Sequence, residues 1–349
     1  MSAVRISRIN QNSGIIKKEL KMFRKNSIIL IVVIAVLAVL FVPAFAQDDD
    51  VLRVAMVMPS KINDYSFSQS MYEALKKIGE SYPEGKFELV YSEDMFNVAD
   101  AREAIRDYAD MGYDLVIAHG SQYGTSLQEI APDYPETAFA WGNGTDYYGQ
   151  PNISVYQARA EQGGYVFGQI AAKYTNKGKL GVCGPVESGD AKTYIDGFKY
   201  GAEQGGSQVS VTYTSSFSDV SLMAAAAETH MAEGATLLTG TSQSIPGAVS
   251  VVKEKGGVWM GVQWDTIPLA PKNVLVSLVY DWTPILNDII ANMKEGVYGG
   301  KAYDLTFEDG GLKFVWNTEN MEIDPELIKM ADELAAKITA GEINPLPAE

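Results

Sequence analysis

The chain is poor in the residues that usually carry chemistry. Among its 349 residues it has one cysteine, Cys183, and two histidines, His119 and His230. One cysteine excludes an intrachain disulfide, so a large apolar core must hold the fold. No cysteine directly follows the N-terminal apolar run, so none stands at a new N-terminus to carry a lipid. Two distant histidines exclude paired-His metal spacings. No nucleophile elbow surrounds His119, and Gly240-Thr241-Ser242 lacks the Gly-Lys-Ser/Thr of a phosphate loop. The expectation is a protein with no catalytic residues, no metal and no cofactor. Tandem repeats, low-complexity tracts, heptads and Ser/Gly linkers are also missing.

Basic charge is scarce once the N-terminus is set aside. The first 46 residues hold seven Lys/Arg and one Glu, so the other 303 carry 21 basic against 43 acidic side chains. Such a surface disfavours nucleic acid and anionic lipid.

The one long apolar run, Ile28–Ala46, follows Arg24-Lys25 and ends in Ala44-Phe45-Ala46. A basic flank, an apolar stretch and a small-x-small end define a secretory signal over residues 1–46, cleaved after Ala46. The run also suffices to span a bilayer, so an uncleaved anchor is the alternative. Either form sends the rest of the chain across the cytoplasmic membrane, to a periplasmic or cell-surface location. Met22 would open a signal of ordinary length, which reads residues 1–21 as a start-site misassignment.

From Val51 onward, strand-like and helix-like segments alternate. Val51–Met58 is a Val- and Met-rich buried strand ending at Pro59, and Ser68–Ile78 is a helix with Met71, Tyr72, Leu75 and Ile78 on one face. Between them lies Asp64-Tyr65-Ser66-Phe67. Helix capping by Asp64 or Ser66 and contact with a ligand are both open readings of this loop. Further strands are expected at Phe87–Tyr91, Leu115–Ala118, Thr137–Ala140 and Ile153–Tyr156. A second cycle runs through Lys179–Cys183, Gln208–Thr214, Thr236–Thr239, Gly257–Val262 and Val274–Tyr280. Two such cycles predict an α/β protein of two doubly wound, parallel-sheet lobes. Lobe 1 is expected to comprise 47–156 plus about 280–306, and lobe 2 to comprise 157–279 plus about 307–349. Asp304–Phe307 and Leu312–Trp316, around Asp309-Gly310-Gly311, read as a hairpin.

Ligands in open α/β sheets bind beyond the carboxyl ends of the strands. The polar and aromatic residues at those ends are the candidate site. They are Asp64, Tyr65, Ser66, Phe67, His119, Ser121, Gln122, Trp141, Glu187, Asp190, Thr241, Trp264, Asp265 and Tyr280. Rings with a few fixed hydrogen-bonding groups suit a small heterocycle. His230 lies in an Ala-rich helix and reads as structural, and Cys183 as a small buried hydrophobe.

Several of these stretches resemble the basic membrane protein family, the purine-nucleoside-receptor-like substrate-binding proteins of bacterial ABC transporters. Asp64-Tyr65-Ser66-Phe67 is similar to the family's Asp-x-Ser-Phe-Asn. Tyr134–Ala140, Glu161-x-Gly163-Gly164-Tyr165, Asp196-Gly197-Phe198-x-x-Gly201 and Gly261-Val262-Gln263-Trp264-Asp265 extend the resemblance from about Leu52 to Trp316. It implies a type I periplasmic-binding-protein fold, closure on a nucleoside or similar heterocycle, and handover to a permease with its ATPase. Ser68, Trp141 and Gln263 replace an Asn and two acids of the family pattern, which implies a changed hydrogen-bonding demand. Riboflavin or another non-nucleoside ligand, a sensory role with the same fold, and an extracellular hydrolase using His119 are the alternatives. Peptide mapping of the unprocessed precursor tests the start site: none should derive from Val4–Lys18, and any such peptide contradicts a start at Met22.

Overall fold

The computed structural model describes residues 51–347. The signal-like segment and the alternative start lie outside the described residues. Two six-stranded sheets carry the chain. In the first, β1 (Leu52–Val57), β2 (Phe87–Ser92), β3 (Leu115–Ala118), β4 (Ala138–Gly142), β5 (Ile153–Ala158) and β11 (Ala302–Leu305) lie in the order β2-β1-β3-β4-β5-β11, all parallel. The second repeats the pattern as β7-β6-β8-β9-β10-β12. Its members are β6 (Lys179–Gly184), β7 (Gln208–Tyr213), β8 (Leu237–Gly240), β9 (Val258–Gln263), β10 (Val274–Tyr280) and β12 (Leu312–Trp316), and only β12 is antiparallel. We take each sheet with its helices as one lobe.

The central strands are buried on both faces, which is why they read as unbroken apolar runs. Along β1, Val54 and Met56 join the core shared with helices α1 (Phe67–Gly79) and α8 (Thr283–Lys294). Ala55 and Val57 point the other way, toward Ile105 of α2 (Val98–Asp110) and Leu127 of α3 (Gly124–Ile130). In lobe 2, Leu180 and Val182 face α4 (Ala160–Tyr174) and α5 (Gly189–Gln204). Leu238 and Trp259 face α6 (Val220–Ala232) and α7 (Ile245–Lys255). The last helix, α9 (Pro325–Thr339), packs on α4. Among the described residues no helix is long and apolar enough to cross a membrane.

The chain passes between the lobes three times, after β5, after β10 and between β11 and β12. The third passage corrects the expected hairpin. Strand β11 pairs with β5 in the first sheet and β12 with β10 in the second. Asp309-Gly310-Gly311 still makes a tight turn, with Asp309 Oδ1 accepting from Gly311 N at 2.7 Å, but it turns the chain from one lobe to the other.

One carboxylate ties the second and third passages together. Asp281 follows β10 and accepts from Lys77 Nζ of α1 at 2.9 Å, from Lys313 Nζ of β12 at 2.6 Å and from the Thr283 backbone at 3.0 Å. These donors hold its carboxyl well below the usual carboxylate range, against the opposing effect of burial. Both lysines are about half exposed, which screens the pairs. Asp281→Asn should cost roughly 1–2 kcal/mol at neutral pH. Because the folded-state pKa is depressed, that contribution is present above the unfolded value near pH 4 and is lost as pH falls below it. Urea titrations of both proteins check this; an unchanged gap at pH 3 contradicts it.

Candidate functional site

The carboxyl ends of both sheets face one another across a cleft that holds a cavity of about 300 Å³. This is near the small end of the range for small-molecule sites, about 300–1,000 Å³. Lobe 1 lines it with Pro59, Phe67, Phe96, Gly120-Ser121-Gln122 and Asn143, lobe 2 with Ser188–Ala191, Phe217, Thr241-Ser242-Gln243 and Gln263. The lining combines three phenyl rings, four carboxamides and several hydroxyls. Asp190 is its one carboxylate, and no Lys, Arg or His is among these residues.

Phe67 is the best-supported ring. One face stacks on the His119 imidazole, with centroids 3.7 Å apart and planes 10° from parallel, and Trp282 meets it edge-on. His119 is fully buried. Its Nε2–H donates to the Phe67 carbonyl at 2.8 Å, and its Nδ1 accepts from the Tyr156 hydroxyl at 2.7 Å. Burial pushes its pKa down to about 3, so the imidazole is neutral and serves as a backing plate for Phe67. Trp282 is anchored by Nε1–H donating to Ser70 Oγ at 2.9 Å, which ties the second passage to the base of α1.

The Asp64–Phe67 loop divides its two open roles between residues. Asp64 caps α1: its carboxylate accepts from the backbone N–H groups of Ser66, Ser68 and Gln69 at 2.9–3.2 Å. Desolvation nevertheless raises its pKa to about 6. Ser66 instead donates its hydroxyl across the cleft to Gln263 Oε1 at 2.5 Å. The intervening Tyr65 has φ +54°, a left-handed conformation uncommon for a bulky residue.

Phe96 and Phe217 stand at the rim, 41% and 38% exposed. They occupy equivalent places, each four residues beyond the second strand of its lobe. Their loops are held alike. The Tyr123 hydroxyl donates to the Met95 carbonyl and Ser242 Oγ donates to the Phe217 carbonyl, at 2.8 and 2.7 Å. Asn143 directly follows β4, and Gln263 is the last residue of β9, each the fourth strand of its lobe. Both have positive φ, +57° and +74°. Both donate to Asp190, Asn143 Nδ2 to Oδ1 at 3.1 Å and Gln263 Nε2 to Oδ2 at 3.0 Å. The carbonyl oxygens of Asn143 and Gln243 have no protein partner.

Of the residues expected from sequence, Phe67, Ser121, Gln122, Asp190 and Thr241 line the cavity, with Ser66 one hydrogen bond behind it. The others lie elsewhere. Trp141 Nε1–H donates to the Gly120 carbonyl, and its ring lies flat against Gly124 and Gly144, where any Cβ would approach within 2.1 and 2.6 Å. Asp265 accepts from Ile267 N and the Ser277 hydroxyl, fixing the turn after β9. Trp264 sits in that turn, half-buried, and Glu187 is exposed. Tyr280 is fully buried, its hydroxyl without a partner. Phe96, Asn143, Ser188, Phe217 and Gln243 were not expected. The signal that finds them is the internal repeat: Ser121-Gln122 and Ser242-Gln243 follow the third strand of each lobe, and the two phenylalanines follow the second.

Two similar α/β lobes, three short passages and a cavity between strand ends define a two-lobed solute-binding protein of the type I periplasmic-binding-protein fold. The chain belongs to the family of PnrA-like ABC transporter substrate-binding proteins, which it matches over residues 51–345. It is 28% identical to a purine-binding protein of Brucella abortus, over 90% of this chain and 88% of that protein. It is 29% identical to basic membrane protein A of Borreliella burgdorferi, over 84% and 87%. An ABC transporter solute-binding protein from Conexibacter woesei shares the fold, with a TM-score of 0.72, 20% identity and coverage of 85% of this chain and 98% of that one. The family binds ligand without transforming it, which overturns the hydrolase alternative. His119, neutral and occupied at both nitrogens, fits that correction.

His119 and Asp64 have opposite pH linkage. The depressed pKa of His119 gives stability present above about pH 6.5 and lost as pH falls toward 3, whereas the raised pKa of Asp64 gives stability present below about pH 4 and lost as pH rises through 6. In His119→Gln only the second remains. The stability advantage of the wild type over His119→Gln should therefore shrink by about 1.4 kcal/mol per pH unit between pH 6 and 4. Urea unfolding across that range measures it; a constant advantage contradicts the neutral imidazole.

Proposed function

We propose that the protein is the extracytoplasmic receptor of an ABC importer for a purine nucleoside or a closely related uncharged heterocycle, delivered to a membrane permease with its ATPase. The observation that carries this reading is the lining of the cavity. Phe67, backed by His119, offers one free face, and Phe217 approaches from the opposite lobe. Flat rings bind between such walls by stacking. Gln122, Asn143, Gln243 and Gln263 supply carboxamides, which present both donors and acceptors and so suit the mixed edge of a base. With Asp190 as the only ionisable side chain of the lining, a phosphate or a free carboxylate would meet an acid and no cation. The purine-binding relative from Brucella abortus supports the same class.

The ligand-binding set is then Phe67, Ser121, Gln122, Asp190 and Thr241 from the expected residues, joined by Phe96, Asn143, Phe217, Gln243 and Gln263. A flavin, larger by a fused ring than a purine nucleoside, suits a cavity of about 300 Å³ less well.

Thermal-shift titration tests the reading with adenosine, guanosine, inosine, the free bases, their 5′-monophosphates, riboflavin and glucose. At least one nucleoside or base should raise the melting temperature by several degrees, since ligand at 100 times Kd adds about 2.7 kcal/mol. The matching monophosphate should not. Stabilisation by riboflavin or glucose alone contradicts the reading, as does none at all. Phe67→Ala and Phe217→Ala should each weaken binding by roughly 5- to 100-fold, as loss of base stacking does.

A further inference from the structure

The four residues Ser66, Gln263, Asp190 and Asn143 form one continuous hydrogen-bonded chain that crosses the cleft twice. Ser66 and Asn143 belong to lobe 1, Gln263 and Asp190 to lobe 2. The Ser66 hydroxyl donates to Gln263 Oε1, Gln263 Nε2 donates to Asp190 Oδ2, and Asn143 Nδ2 donates to Asp190 Oδ1. Every donor and acceptor orientation is determined. Burial raises the Asp190 carboxyl above its ordinary value, opposed by the donors from Gln263, Asn143 and the local backbone. In its ionised form it only accepts, so both amide nitrogens face it and the Gln263 carbonyl is turned toward Ser66. The two amides stand at the end of the fourth strand of each lobe, Asn143 just past β4 and Gln263 at the close of β9, and both hold a positive φ. Strained backbone of this kind persists only where the surroundings over-determine it.

We propose that this chain is an interlobe latch, and that it requires one carboxylate and one carboxamide at positions 190 and 263. Its bonds join parts of the protein that separate when the lobes part, so closure and latch formation are one event. The latch supplies part of the closing free energy from the protein itself, before any contact with ligand. It also explains why residue 263 is an amide. A second carboxylate at that position would lie against Asp190, and two carboxylates at that distance cannot both ionise. Exchanging acid and amide between the two positions, in contrast, preserves the three bonds of the side-chain chain: Asn143 donates to the new amide oxygen, the new amide nitrogen donates to the new carboxylate, and Ser66 donates to that carboxylate.

The test uses the full secreted chain with no ligand added, so its outcome is separate from whether nucleosides bind. Small-angle scattering and melting temperature are measured at pH 5 and pH 8 for the wild type, Q263E and D190N/Q263E. Other titratable groups lie near the latch. Asp64 is two residues from Ser66, and Tyr280, Tyr194 and Glu161 lie beneath Asp190. Glu187, Lys192, Asp196 and Tyr213 interact along the start of α5. All are common to the three proteins, so their titration cancels in the comparison.

The wild type should have the compact radius of gyration, about 19 Å for a chain of this length. Q263E at pH 8 should open by on the order of 1 Å and lose several degrees of melting temperature. At pH 5, where the paired carboxylates share a proton, it should return toward the wild type. D190N/Q263E should match the wild type at both pH values. A Q263E protein indistinguishable from wild type at pH 8 overturns the proposal, and so does an exchange variant as open as the single one. Should Q263E fail to fold, the exchange variant must fold for the proposal to stand.

Discussion

The stacking of Phe67 on His119 is the contact on which the cleft of lobe 1 depends. An imidazole buried this deeply must be neutral, and a neutral imidazole has one N–H to give and one nitrogen that accepts. The Phe67 carbonyl and the Tyr156 hydroxyl satisfy both. That pairing fixes the ring plane, and the ring plane fixes Phe67. Because Phe67 is the first residue of α1, the helix start is fixed as well, with Asp64 gathering its free N–H groups. Trp282 closes the cluster from the second interlobe passage. The second interlobe passage is thus packed directly against the ring that walls the cavity.

The second lobe repeats part of the scheme of the first. In both lobes the loop after the second strand carries a rim phenylalanine, the loop after the third carries Ser-Gln, and an amide with positive φ stands at or just past the end of the fourth strand. Repetition of these few residues on the two lobes explains how the cleft obtains facing rings and facing amides. The symmetry is broken at Asp190, which has no counterpart among the cavity-lining residues of lobe 1. A single acid between two amides can be fully satisfied, whereas an acid in each lobe would bring like charges together on closure.

Much of the fold was legible because strands buried on both faces leave long apolar runs, and because turn residues punctuate them. The hairpin was misread for a local reason. Asp309-Gly310-Gly311 carries the turn signal whichever sheets its flanking strands enter, and the pairing of β11 with β5 spans some 150 residues. The site was legible in part. Phe67, Gln122 and Asp190 stand at strand ends, where α/β proteins bind ligands. Trp141 stands there too, but small glycines on both sides draw its indole into the wall, and Asn143 two residues on turns toward the cleft. Glu187 and Asp190 stand three residues apart at the start of α5, and nothing local distinguishes the exposed acid from the one that two amides enclose. Gln263 was visible only as an acid missing from the family pattern; its partner Asp190 gives that absence a physical reason.

The most direct test of the account is a structure of the protein with the ligand it carries from its native host, identified in parallel by native mass spectrometry. The account predicts an uncharged heterocycle in the cleft, its ring between Phe67 and Phe217 and its polar edge on the carboxamides, with no phosphate. An anionic ligand, or one seated away from Phe67, would contradict it.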